Sequence, residues 1–335
     1  MKKRIAINGF GRMGRLALRA AWDWPEYDIV HINEVAGDVE TAAHLLKYDS
    51  VNGTWDKSIS TVDGTLLINQ QAVSYSQNKA IDDTDWQALN LDAVVECTGQ
   101  HKTEDSLAPY FKNGIKKIIV SAPVAKGALS IVMGVNDHLY QPKQHHIVTA
   151  ASCTTNCLAP IVEAMQTAFT IKHIAFTTIH NITNTQSILD EYHSDLRRTR
   201  ASGFSLIPTT TGSAKAIIEI FPELKGKING TAVRVPLANA SLTDCVFELE
   251  QKVTTETVNT ALKSASENQL KGILGYETAP LVSCDFNNDQ RSSIIDSLST
   301  MVINDTQVKI MSWYDNEVGY VNRMMELVKK VCSNP

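Results

Sequence analysis

Arg4-Ile5-Ala6-Ile7-Asn8-Gly9-Phe10-Gly11-Arg12-Met13-Gly14 is a short apolar run that breaks into a glycine loop. Arg4–Asn8 reads as a strand, Arg15–Trp24 as a helix stopped by Pro25, and Asp28–Asn33 as a second strand ending in Glu34. This is a strand–loop–helix–strand unit of the length a right-handed parallel crossover requires. A lone G-x-G-x-x-G is a weak signal. Here it follows a strand, opens a helix and is followed about twenty residues later by a carboxylate, which is the context that gives it meaning. Gly9, Gly11 and Gly14 let backbone N–H groups approach a pyrophosphate at the helix N-terminus. Glu34 is then placed to accept hydrogen bonds from an adenosine ribose.

The same carboxylate discriminates between cofactors. A 2′-phosphate beside it meets a repulsion of about 4 kcal/mol at about 4 Å and an effective dielectric of about 20. A third of that is roughly tenfold in binding, so the expected cofactor is NAD rather than NADP.

Moving outward, short apolar strands are expected at Ala93–Glu96, Lys117–Ser121 and His146–Ala150, with a hairpin turn at Val62-Asp63-Gly64-Thr65. Strands alternating with helices up to about residue 151 predict a doubly wound parallel sheet of the Rossmann type. Beyond it the texture changes. Longer strand-like runs lie at Ile171–His180, Ala232–Val235, Ala240–Glu250, Ile294–Ile303 and Gln307–Tyr314, interrupted by a helix at Thr255–Glu267. That pattern predicts an α+β domain with a mixed or antiparallel sheet and helices on one face. The expected division is a dinucleotide domain over 1–151, a catalytic domain over 152–316 and a terminal helix over 317–335 that packs back on the first domain. Val321, Met324, Met325, Val328 and Val331 supply that helix with its apolar spacing.

The 335 residues are enough for two domains with separate cores. Charged residues make up 20% and hydrophobic ones 43%, the profile of a globular protein in water. A net charge of −5 and a pI near 6.0 argue against nucleic acid or an anionic membrane as a general partner. No signal peptide and no membrane-spanning run is read. Six scattered cysteines resemble neither a disulfide framework nor a metal cluster, so no metal site and a reducing cytoplasm are expected.

Ala151-Ser152-Cys153-Thr154-Thr155-Asn156-Cys157 sets a cysteine between the strand His146–Ala150 and a helix expected over Asn156–Ala168. A thiol at a helix N-terminus lies beside unpaired N–H groups and the positive end of the dipole, which favour thiolate. Cys157, one turn further on, lies beyond the reach of that effect and is expected to be packed and inert. Of nine histidines, His180 ends a long strand at the lip of the polar loop Asn181–Gln186. It is the candidate base, with a structural histidine as the plain alternative. Pro208-Thr209-Thr210-Thr211-Gly212 sets hydroxyls and a glycine before a helix, a pattern suited to an anion. Arg197, Arg198 and Arg200 read either as anion ligands or as a solvated charge run. Arg234, alone within the apolar stretch Thr231–Pro236, calls for a reason of its own.

Gly9–Gly14, Ser152–Cys157, His180, Asp195-Leu196-Arg197-Arg198, Pro208–Lys215, Pro222–Lys227, Arg234-Val235-Pro236 and Trp313–Tyr320, in that order, resemble the motifs of phosphorylating glyceraldehyde-3-phosphate dehydrogenases. The resemblance spans essentially the whole chain. It implies Cys153 as the nucleophile that forms a hemithioacetal and then a thioester, with His180 as its acid and base. It implies an inorganic oxyanion that releases the product as an acyl phosphate. Thr183 and Arg234 would hold the phosphate of glyceraldehyde 3-phosphate, and Ser152, Thr154, Arg198, Thr211 and Gly212 the attacking phosphate. Arg12 and Met13 would lie along the NAD, Thr98 and Ser121 would line its cleft, and Asn316, which would orient the carboxamide, and Tyr320 complete the cofactor set. The family is typically a cytoplasmic homotetramer in which the loop around 181–205 reaches a neighbouring subunit.

The chain departs from the family pattern at Glu34, where aspartate is usual, and at Gln100-His101, Glu191-Tyr192 and Val318. Asn33-Glu34 and Tyr192-His193-Ser194-Asp195 also resemble erythrose-4-phosphate dehydrogenases. Those usually lack a Thr-Thr-Thr-Gly loop and a threonine three places after the histidine, and this chain has Thr209–Gly212 and Thr183. Trp22-Asp23-Trp24-Pro25-Glu26, His180–Gln186 and Ile273-Leu274-Gly275-Tyr276-Glu277 are similar to a subgroup found with arsenate-efflux genes, in which arsenate replaces phosphate. A different class, a catalytically idle dinucleotide- or RNA-binding protein, is opposed by the intact Cys153 and His180 and by the acidic pI.

Overall fold

In the computed structural model, which describes residues 2–333, the strand Lys3–Asn8 lies inside a nine-stranded sheet. From one edge the order is Leu129–Ser130, Ile147–Thr149, Ile118–Val120, Ala93–Glu96, Lys3–Asn8, Tyr27–Asn33 and Gln71–Ser76, all parallel. Two antiparallel strands, Thr65–Ile68 and Ile59–Val62, complete the other edge. The central strands are buried on both faces. Ile5, Ala6, Ile7, Val94, Val95, Ile118 and Ile119 expose nothing, so these strands read as continuous apolar runs without alternation. Successive connections leave Lys3–Asn8 on either side, which opens a crevice beyond the carboxyl ends of the strands, where ligands bind in such sheets.

The register sets Asn8 beside Asn33 on one side and Glu96 on the other. Asn33 Nδ2 donates to Asn8 Oδ1 at 2.7 Å, and Asn8 Nδ2 to Glu96 Oε2 at 3.0 Å. Glu96, 1% exposed, also accepts from the Tyr110 hydroxyl at 2.7 Å and the Thr98 N–H at 2.8 Å. A buried carboxylate is thus satisfied by neutral donors, and removing it strands all of them. Glu96→Ala should therefore lower stability by about 3 kcal/mol, read as a lower urea midpoint, while Glu96→Gln loses less. An unchanged midpoint for the alanine variant would contradict this account.

A second compact unit, formed by residues 134–136 and 153–320, carries a seven-stranded mixed sheet. Its order is Ile207–Thr209, Ile228–Arg234, Ile171–His180, Ser241–Leu249, Gln307–Tyr314, Ser293–Ile303 and Leu274–Glu277. Strict alternation along Ser241–Leu249 buries Ser241, Thr243, Cys245, Phe247 and Leu249. Helices Cys153–Ala168, Ser213–Ile220 and Thr255–Glu267 pack together against the sheet. The first unit comprises 2–133, 137–152 and 321–333, so most of the terminal helix Val318–Ser333 belongs with it. Within that unit the Tyr27 hydroxyl donates to Met325 O at 3.3 Å.

The doubly wound and mixed sheets are those expected. The hairpin at Asp63-Gly64 has both residues at positive φ, 47° and 74°, as its two-residue turn requires. Boundaries differ where packing overrides local signals. The first helix begins at Arg12, directly after Gly11 and so inside the glycine motif, and ends at Ala21. The strand expected over Ala232–Val235 runs Ile228–Arg234. Its Gly230 pairs with Phe176, whose ring occupies the space a Cβ would need. The helix expected from Asn156 starts at Cys153. Expectations at Met1 and at 334–335 lie outside the described residues.

Candidate active site

Cys153 is the first residue of its helix because Ala151, two residues earlier, turns the chain at φ 57°, a left-handed conformation costly for alanine. The helix is buried nearly all round from Thr154 to Val162 and runs into the core, so only its first turn carries the thiol. Cys153 Sγ lies 3.5 Å from His180 Nε2 and remains partly exposed. His180, 4% exposed, is set by the end of the strand Ile171–His180. The sequence brought these two side chains forward separately, and the fold brings them together.

Behind the ring, His180 Nδ1 lies 2.8 Å from Asn181 O and 2.7 Å from Arg234 NH1, which is itself 3.2 Å from Asn181 O. A guanidinium only donates. Its two NH1 hydrogens can serve Nδ1 and Asn181 O, which puts the ring proton on Nε2, facing the sulfur. When Nδ1–H instead donates to Asn181 O, Nε2 is a free base. That second tautomer sets Nδ1–H against the guanidinium at 2.7 Å, so it requires Arg234 to draw back from the ring. Burial, then Arg234, pushes the imidazole down to about 3, so the ring is neutral at ordinary pH. Burial raises the Cys153 thiol above its usual range, while Arg234 and hydrogen bonds from Thr154 draw it back. Cys157, 0% exposed beside Thr243 and Ser293, is pushed up to about 11 and has no such help.

Thr154 Oγ1 is 3.0 Å from the Tyr314 hydroxyl, which also meets Thr178 Oγ1 at 2.7 Å, and the Tyr314 ring stands edge-on to His180. Tyr314, Ser241 and Asn181 were not among the residues expected at the site. The one available signal was alternation, which turns Tyr314 inward, where its hydroxyl needs a partner.

Arg234 and Arg198 gather near His180, and both depress its protonation. Arg198 donates through Nε to Thr209 Oγ1 at 3.0 Å, and Thr209 donates to Asp195 at 2.7 Å. Arg234 Nε is buried without a partner. Two guanidiniums near one another, one with an unused donor, are the chemistry an anion would need. Thr211 Oγ1 caps Ser213 N at 3.2 Å, and Gly212 leaves open space where a side chain would stand. Thr183 Oγ1 bonds Thr185 Oγ1 at 2.9 Å, at the start of the following loop. Ser152, on the first unit, precedes Cys153 and is half-buried.

The first unit carries the glycine loop, Glu34, Thr98 and Ser121 expected at a dinucleotide. Gly9 sits at φ 91°, and a Cβ on it would meet Thr98 N at 2.5 Å, while Gly14 packs on Gly9. Gly11 has nothing within 4 Å and caps the first helix with no side chain. No side chain caps this helix, and a pyrophosphate would fit at its N-terminus. Glu34 is anchored at the loop by the N–H groups of Phe10 at 2.6 Å and Ala36 at 2.8 Å. The guanidinium of Arg12 is engaged by Asp49 at 2.6 Å and Asn52 at 2.9 Å. Met13 beside it is half-buried. Thr98 is tied to Glu96, and Ser121 N donates to Glu96 O at 2.9 Å. Asn316 and Tyr320, both buried, lie on the second unit.

A dinucleotide-binding sheet together with a cysteine–histidine pair and clustered arginines defines an NAD-dependent, phosphorylating aldehyde dehydrogenase. Residues 3–104 match the glyceraldehyde 3-phosphate dehydrogenase NAD binding domain, and residues 152–316 match that family's C-terminal domain. The chain is 60% identical over 332 residues to glyceraldehyde-3-phosphate dehydrogenase 3 of Nostoc sp., covering 99% of this chain and 98% of that one. It is 48% identical to the Geobacillus stearothermophilus glyceraldehyde-3-phosphate dehydrogenase over 99% of both. With glyceraldehyde-3-phosphate dehydrogenase 1 of Bacillus subtilis it shares 47% over 98% and 97%. The chain belongs to the glyceraldehyde-3-phosphate dehydrogenase family, and its cofactor is NAD. Among the described residues no helix is long and apolar enough to cross a membrane.

Proposed function

We propose that the chain oxidises D-glyceraldehyde 3-phosphate to an acyl phosphate through a thioester on Cys153. The observation that carries this reading is the Cys153 Sγ to His180 Nε2 distance of 3.5 Å, at a helix N-terminus with Arg234 behind the ring. The thiolate adds to the carbonyl carbon, and His180 donates to the resulting oxygen or removes its proton, according to tautomer. Gly9–Gly14 and Glu34 would hold NAD, which when bound would supply the acceptor for the hydride that leaves this carbon. An oxyanion held by Arg198, Thr211 and Gly212 then attacks the thioester, the C–S bond breaks, and Cys153 leaves as thiolate. Thr183 and Arg234 hold the substrate phosphate.

Arsenate is a near isostere of phosphate, and the motifs shared with the arsenate-associated subgroup make it the second oxyanion to test. The measurement is NADH formation from this aldehyde with phosphate, with arsenate and with neither, set against erythrose 4-phosphate. Activity without any oxyanion would overturn the phosphorylating reading, and preference for the four-carbon sugar would overturn the substrate. At Glu34, we expect Glu34→Ser to shift kcat/KM toward NADP over NAD by about tenfold or more, because a like charge no longer meets the 2′-phosphate.

The assembly we propose is a homotetramer, joined in part by the loop after His180. That loop exposes Ile188, Leu189, Leu196, Phe204 and Leu206 at 69–85%, an apolar surface a lone subunit would leave wet. Free cysteines throughout fit a reducing cytoplasm.

A further inference from the structure

We infer that Thr209 is a positioning residue, a hydroxyl spacer that keeps Arg198 from closing onto Asp195 and leaves its guanidinium for the attacking oxyanion. Arg198 Nε donates to Thr209 Oγ1 at 3.0 Å, and Thr209 Oγ1 donates to Asp195 Oδ2 at 2.7 Å. These directions cannot be reversed. A guanidinium only donates, an ionised carboxylate only accepts, and the hydroxyl has a single proton to give. Asp195 is ionised at neutral pH, because the Thr209 hydroxyl and then the Arg197 N–H hold its carboxyl below the usual range.

Thr209 and Asp195 are both fixed without the Arg198 side chain. Thr209 is buried at the end of the strand Ile207–Thr209, where it pairs with Ala232 of Ile228–Arg234. Asp195 Oδ1 accepts from the Arg197 N–H at 2.9 Å, and the Asp195 N–H donates to His193 Nδ1 at 2.9 Å. Arg198 Nε stays 3.7 Å from Asp195 Oδ2, beyond hydrogen-bond reach. Its side chain is only 19% exposed, yet among the described residues its NH1 and NH2 groups meet no acceptor. Without the hydroxyl, nothing stands between the two charges. The guanidinium then moves onto the carboxylate, where a two-point, charge-assisted contact is stronger than the relayed one. Asp195 takes donors that the oxyanion would otherwise receive.

This role rests on the proposed reading that Arg198 holds the oxyanion that attacks the thioester. The test measures kcat/KM separately for inorganic phosphate and for glyceraldehyde 3-phosphate, by NADH formation with the intact protein. The first reports the steps from oxyanion binding onward, the second those from aldehyde capture to hydride transfer. Thr209→Val should lower the phosphate value about tenfold and leave the aldehyde value within about twofold. Thr209→Ala, also without a hydroxyl, stands in if the valine variant does not fold. Thr209→Ser keeps the spacer and should stay within about threefold of wild type for both. Adding Asp195→Asn to Thr209→Val removes the charge that captures Arg198, so the phosphate value should recover by at least about threefold. Equal losses for phosphate and aldehyde would mark a merely structural role and overturn the inference. A serine variant as impaired as the valine one, or a double variant with no recovery, would overturn it too. Arg198→Leu separates the two levels. If it lowers the phosphate value and Thr209→Val does not, the role of Thr209 falls and the reading of Arg198 stands. If it leaves the phosphate value unchanged, both fall.

Discussion

Replacing Cys153 by serine should lower aldehyde oxidation by at least about 10⁴-fold and leave NAD affinity where it was. The nucleophile is the ionised form, and a serine hydroxyl ionises many units above a thiol, so the devices that aid the thiolate leave a serine protonated. Those devices are the first helical turn, the Thr154 hydrogen bonds and Arg234. The change is nearly isosteric, and Cys153 lies outside the glycine loop proposed to take the dinucleotide, so binding and chemistry should separate. Neither Cys157 nor Cys97 can stand in. Cys157 is sealed against Thr243 and Ser293, and Cys97 is pushed up to about 12 by burial. Iodoacetamide should therefore inactivate the wild type in step with labelling at Cys153. A fully active serine variant would end the thioester proposal.

The parts of this arrangement that were legible in the sequence are those that local chemistry dictates. Gly9, Gly11 and Gly14 follow a strand and precede a helix because only glycine allows φ 91° at Gly9 and its approach to Thr98. The strands Ala93–Glu96, Ile171–His180 and Gln307–Tyr314 and the helix Thr255–Glu267 were readable to the residue, because their ends carry polar or capping residues such as Thr254. Cys153-Thr154-Thr155 gave no helical signal, since β-branched and short polar residues are poor formers. The helix starts there because burial of the segment outweighs propensity. Pairings between distant residues were not legible. Nothing local joins Tyr314 to Thr154, Ser241 to Asn316 or Glu96 to Tyr110, because each pair is set by sheet register and helix docking. Arg234 lay between these cases. Its oddity in an apolar strand was visible, but its contact with His180 was not.

That contact makes Arg234→Leu the second large effect, and one with two separable parts. The first is loss of the substrate phosphate. Charge-assisted hydrogen bonds from a guanidinium are worth about 1.5–3 kcal/mol each, so kcat/KM for glyceraldehyde 3-phosphate should fall roughly 10²–10³-fold. The loss should appear mainly in KM. The second part acts on the thiol. Arg234 lowers the Cys153 thiol and the His180 imidazole alike. Without the guanidinium both move upward, the thiolate is less populated at a given pH, and the rise of iodoacetamide alkylation with pH should shift up by about one unit. At pH 7 this second part would also slow unphosphorylated glyceraldehyde and blur the comparison. The two substrates should therefore be compared at a pH above the alkylation limb of both proteins, where thiolate is complete in each. Under that condition unphosphorylated glyceraldehyde should change by no more than about threefold, because it has no phosphate to lose. If both substrates fall together there, Arg234 serves the thiol and does not hold the phosphate. If alkylation titrates unchanged in the variant, the guanidinium does not act on the sulfur, and its 2.7 Å contact with His180 has no electrostatic consequence for catalysis.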